Sequence, residues 1–91
     1  MQSILQNKNE CYRCGSQYYL EEHHIFGGAN RKLSEQYGLK VKLCHWCHNE
    51  PPSGVHHNKD TMDWLHQEGQ KAFERRFPGK DFKSIFGRNY L

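Results

Sequence analysis

Two cysteine pairs, Cys11-x2-Cys14 and Cys44-x2-Cys47, with 29 residues between them, constrain this chain more than any other feature. Thiolates separated by two residues on a tight turn can face one ion, and two such turns complete a tetrahedron around Zn²⁺. In a reducing cytosol two disulfides are the less favoured use of the same four residues. The chain has 91 residues, 35% of them hydrophobic. One domain of this size buries only roughly 60–65% of its unfolded surface, so its core is marginal without a staple. A zinc ion joining the N-terminal turn to the middle of the chain would be that staple, worth on the order of 10 kcal/mol.

Taken in order, residues 1–10 are polar and lack a period, so they read as a frayed end, although Ile4 and Leu5 could pack on the first turn. Cys11 to Gly15 forms the first knuckle. Tyr18 to Phe26 reads as a strand or extended segment, ended by Gly27-Gly28, and Asn30 to Tyr37 as a short helix capped by Asn30 and closed by Gly38. Leu39 to Leu43 alternates apolar and lysine residues and reads as a second strand running into the second knuckle. Asn49 to Gly54 is a loop. A long helix is expected from Asp60 to Phe77, with Met62, Leu65, Gly69, Ala72, Phe73 and Phe77 on one face and Asn58 or Asp60 as cap. A last short helix follows from Asp81 to Phe86, stopped by Gly87.

The chain carries seven histidines, and six of them (His23, His24, His45, His48, His56 and His57) fall within 35 residues around the second knuckle. Imidazole ligates divalent transition metals, and its pKa suits proton transfer near neutrality. Alternation along a strand sends the rings of His23 and His24 to opposite sides, so one can face a metal and the other a water or substrate.

Cys-x2-Cys, then His23-His24-Ile25, then Leu43-Cys44-x2-Cys47-His48, then a further histidine before a helix resembles the zinc-stapled HNH endonucleases, the ββα-metal family, and most of all its small phage-encoded members. The resemblance covers about residues 11–77. It implies an α+β fold: a small ββα-metal core with a four-cysteine zinc knuckle pair and C-terminal helices, one domain over 1–91 with residues 78–91 as a helical extension. It implies a metal-dependent endonuclease that hydrolyses DNA phosphodiester bonds to 5′-phosphate and 3′-hydroxyl ends. By position, His24 would be the general base, and His23, His48 and His56 would hold the catalytic ion, with His57 as an alternative to His56. Cys11, Cys14, Cys44 and Cys47 would hold the structural Zn²⁺. Two departures stand beside the match. No Asn stands at Gly38 or Leu39, where the family's middle Asn is expected, and seven residues rather than three separate His48 from His56.

A site rich in histidine favours Mn²⁺ or Ni²⁺ over Mg²⁺ as the working ion. Among the basic residues Arg31 is singled out for contact with DNA, because it follows the glycine turn after the histidine pair; Lys32, Lys40, Lys42, Arg75 and Arg76 equally suit a solvated face. His45 reads as a solvated or supporting residue, His66 as surface, and Trp46, Trp64, Phe73 and Phe77 as core. The net charge of +3 permits nucleic-acid binding without demanding it. No apolar run suggests a signal peptide or a membrane span, so the expected setting is the cytoplasm, that of a bacterial host if the chain is phage-encoded. A protein partner or a homodimer is compatible with so small a domain. Two other classes fit the same residues: a non-catalytic zinc-bound DNA-binding module and a protein-interaction zinc ribbon.

Overall fold

A computed structural model describes all residues, Met1–Leu91. The fold is small and α+β: two antiparallel strands and four helices. Strand β1 (Leu20–His24) pairs with β2 (Lys40–Cys44), and the register sets Leu20 opposite Cys44, His23 opposite Val41 and His24 opposite Lys40. Between the strands lies α1 (Arg31–Tyr37); after them come α2 (His45–Asn49), α3 (Lys59–Arg76) and α4 (Phe82–Phe86). No helix is long and apolar enough to cross a membrane.

The first strand is shorter than its sequence suggests. Tyr19 takes a left-handed backbone (φ +53°), which ends extended pairing there, and Tyr18 and Tyr19 stand exposed. Ile25 and Phe26, also expected in the strand, lie beyond it as buried core residues. The second knuckle is no simple turn. Cys44 sits at the N-cap of α2, a helix that the sequence does not announce because His-Trp-Cys-His-Asn has no apolar period.

Helix α1 ends at Gly38, whose φ of +70° closes it in the left-handed manner. A Cβ there would also strike the carbonyl oxygen of Gln2. Asn30 does not cap α1 through its side chain, which instead donates to the Phe86 carbonyl at 3.0 Å. In α3 the cap is Asn58 rather than Asp60: its side-chain oxygen accepts from the Thr61 amide at 3.0 Å.

The amino-terminal segment is tied down, not frayed. The Ile4 amide donates to the Gly38 carbonyl, the Ser3 hydroxyl to the Lys40 carbonyl, and the Lys42 amide to the Gln6 side chain. These bonds lay residues 3–6 along the outer edge of β2, and Ile4 and Leu5 pack against the core.

Thirteen residues form one buried cluster that reaches from Cys11 and Leu43 to Phe82 and Phe86. Its centre is aromatic: Phe26 lies 5.3 Å from Phe82 and 5.0 Å from Phe86 between ring centroids, and Phe73 lies 5.4 Å from Phe82. Each such pair adds about 0.5–1.5 kcal/mol beyond the area it buries. Gly69 lets α3 approach this cluster, because a Cβ there would lie 2.9 Å from Ile25 and 3.0 Å from Phe26. Trp46 and Trp64 are not core: both are exposed, Trp46 beside Tyr19 and Trp64 beside Tyr12.

Candidate metal and catalytic site

The four cysteines converge. Cys11 and Cys14 lie on a turn closed by the Gly15 amide donating to the Cys11 carbonyl at 2.9 Å, with Gly15 at φ +81°. The Tyr12 amide donates to the Lys42 carbonyl at 2.8 Å, fixing that turn against β2, where Cys44 ends the strand and Cys47 follows one helical turn on. All four sulfurs lie within 4.8 Å of one another, and Cys14 Sγ lies 3.7 Å from Cys44 Sγ. Zinc–sulfur bonds of about 2.3 Å at tetrahedral angles place sulfurs about 3.8 Å apart, so the cluster fits Zn²⁺. Burial raises the Cys11 thiol, but the amides of Cys44, Cys14 and Arg13 more than offset this and bring it to about 7. Burial pushes Cys47 up to about 12, against the Arg13 guanidinium.

A second cluster lies in a cleft of about 370 Å³ lined by His23, His24, His48, His56, His66 and Arg31, among others. Ligand nitrogens of His23, His48 and His56 lie within 4.8 Å of one another, drawn from β1, α2 and the 3-10 turn before α3. His48 Nε2 and His56 Nε2 are 3.0 Å apart. Two ligands of a tetrahedral ion with bonds of about 2.0–2.1 Å would stand about 3.3 Å apart, close to this spacing. His23 is 6% exposed, and its buried Nε2 has no hydrogen-bond partner. Burial, then the neighbouring imidazoles of His48 and His56, hold its pKa down to about 3, so the ring is neutral, the state in which imidazole ligates. An unpartnered, buried nitrogen on a neutral ring that adjoins two other imidazoles is what a metal would satisfy. His57 stands outside this group and is exposed.

Glu21 supports the cluster, although sequence reading overlooked it. Its Oε1 accepts from His48 Nδ1 at 2.8 Å and from Asn49 Nδ2 at 2.9 Å, while Oε2 meets His45 Nδ1 at 3.1 Å. Holding the proton on His48 Nδ1 leaves Nε2 with its lone pair toward His56, the usual arrangement of a carboxylate behind a ligating histidine. The hydrogen bond from His48, then that from His45, lowers the Glu21 pKa and keeps it a carboxylate. A signal for it existed: Glu21 stands two residues before His23 on a strand and so shares its face. His45 is a supporting residue in this sense, held between Glu21 and Glu50.

The His24 ring lines the same cleft but stands outside the three-histidine group. Its Nε2 lies 3.0 Å from Glu35 Oε1 on α1. His66 is not a surface residue: it lines the cleft, stacks on Phe26 with rings 5.3 Å apart, and burial lowers its pKa. Arg31 is exposed at the rim of the same cleft, at the start of α1.

No family model, curated protein or solved structure matches this chain.

Proposed function

We propose that the protein is a metal-dependent endonuclease of the HNH type, with a ββα-metal core, acting on DNA. The observation that carries this reading is the three-histidine cluster with the orphaned Nε2 of His23, set beside a fourth histidine, His24, that shares the cleft. The four-cysteine cluster is a closed site and suits a structural ion. The histidine cluster offers three ligands and so leaves a position for water or phosphate, which is the arrangement of a catalytic metal.

His23, His48 and His56 hold the ion, Mn²⁺ or Ni²⁺ ahead of Mg²⁺ given their nitrogen donors. When bound, the ion polarises the scissile phosphate and stabilises the charge on the departing 3′ oxygen. His24 takes a proton from a water as the water oxygen forms its bond to phosphorus. The P–O3′ bond breaks, leaving a 5′-phosphate, and the 3′ oxygen gains a proton from solvent to become a hydroxyl. Arg31, at the rim, is placed to pair with a neighbouring phosphate.

A supercoiled-plasmid assay with Mg²⁺, Mn²⁺ or Ni²⁺ tests this directly, with both proteins first shown to carry one tightly held zinc. Wild type nicks or cuts, and His24→Ala loses at least about a hundredfold in rate, the scale of general-base catalysis. Failure of wild type under every ion, with retained DNA binding, would leave a non-catalytic DNA-binding module instead.

A further inference from the structure

Helix α1 is bolted to the end of β1 by Ser34, whose hydroxyl accepts from the Phe26 amide at 3.0 Å and donates to the Phe26 carbonyl at 2.8 Å. The next residue, Glu35, faces His24. Its two oxygens are divided: Oε1 lies 3.0 Å from His24 Nε2, and Oε2 lies 2.7 Å from the Lys40 ammonium. Lys40 is the strand partner of His24, and its carbonyl is itself held by the Ser3 hydroxyl. Glu22 flanks both, 3.9 Å from His24 Nε2 and 3.9 Å from Lys40 Nζ. The amino terminus lies 3.5 Å from Glu35 Oε2.

Two readings of this group can be separated. Glu22, His24 and Glu35 have the composition of a metal site. The Lys40 ammonium, however, already bonds Glu35 and approaches Glu22, so it supplies the cation the carboxylates face. A plain surface ion pair between Glu35 and Lys40 would contribute little and would not need the second oxygen turned to a histidine.

Resting on the nuclease reading above, we propose that Glu35 is a positioning residue for the general base: it accepts the Nε2 proton of His24 and so presents Nδ1 as the lone-pair nitrogen for the attacking water. Lys40 fixes the carboxylate in turn. The hydrogen bonds of Lys40, then of His24, hold the Glu35 pKa down to about 2, so it remains an acceptor throughout the working range. The chemistry is that of a carboxylate behind a catalytic imidazole, where the acid sets tautomer and ring orientation and does not itself take the proton.

The experiment uses the full chain with its zinc, labelled with ¹⁵N-histidine, and reads the His24 ring nitrogens by long-range proton–nitrogen correlation, with no second metal added. Wild type shows the proton on Nε2 and an unprotonated Nδ1, and Glu35→Ala shows a mixture of tautomers. Glu35→Gln, whose side-chain carbonyl can still accept, keeps the wild-type pattern and serves where the alanine variant fails to fold. In single-turnover cleavage with Mn²⁺, Glu35→Ala slows the rate about 10–100-fold, part of what a general base contributes, with DNA affinity little changed, and Glu35→Gln loses less. A wild-type proton on Nδ1, or a tautomer indifferent to Glu35→Ala, overturns the positioning role whatever the activity. Absence of wild-type cleavage under Mg²⁺, Mn²⁺ and Ni²⁺ overturns the nuclease reading itself, and with it any base for Glu35 to position.

Discussion

At the scale of single residues, what distinguishes the seven histidines is the partner each one finds. His48 has Glu21, His24 has Glu35, and His23 has none. Removing the carboxylate behind a ligating histidine typically costs 10–100-fold in metal affinity, so Glu21→Ala should weaken Mn²⁺ or Ni²⁺ binding by about that factor. Titration calorimetry on the zinc-loaded protein checks it, and an unchanged affinity would remove Glu21 from the site. His23 carries a pH prediction. Unfolded, it takes up a proton as the pH falls below about 6.5; folded, it stays neutral down to about 3. Between those values the unfolded state binds the extra proton, so stability falls as the pH falls, while above them the contribution is flat. From pH 7 to 5.5 the loss from this group is about 1 kcal/mol. Urea midpoints of wild type and His23→Leu, both zinc-loaded, isolate it: the variant should lose less over that interval.

Among the elements, α2 couples the two clusters. It carries Cys47 in its first turn and His48 directly after, so whatever orders the cysteines also orders one histidine of the second cluster. A structural zinc can contribute on the order of 10 kcal/mol, comparable to the whole stability of a small domain. Stripping zinc with a strong chelator should therefore abolish most of the helical circular dichroism and the capacity for a second ion, and one equivalent of zinc should restore both. A spectrum unchanged by zinc removal would show that the cysteines staple nothing. Much of this layer was readable in advance, because the signals were local. The paired cysteines, the alternation through Leu39–Leu43, Gly38 as a helix stop and the apolar face around Leu65 and Phe73 are all set by neighbours in sequence. The elements that escaped depend on distant partners. Helix α2 is five residues without a period, held by its place after Cys44. Tyr18 and Tyr19 have strand-like composition, yet one left-handed backbone angle takes them out of the sheet. Glu21 and Glu35 look like ordinary surface acids until the fold brings imidazoles to them.

For the molecule as a whole, the residues past Pro78 complete the core, since Phe82 and Phe86 close over Phe26 and Phe73. The opposite end of the chain has a different task. A two-stranded sheet is too small to hide its own margins, and an uncovered strand presents a row of amides and carbonyls to any passing chain. Here Ser3 and Gln6 bond to Lys40 and Lys42 of β2, and Ile4 to Gly38 just before it. Removing residues 1–7 should yield a protein whose sedimentation shifts with concentration as copies add to one another through β2, whereas the intact chain stays unchanged over the same range; a truncated form that remains monomeric would dismiss the idea. The first few residues, plain in composition, act as a sacrificial selvage: they bind the fabric's raw border so that it cannot be stitched to a second piece.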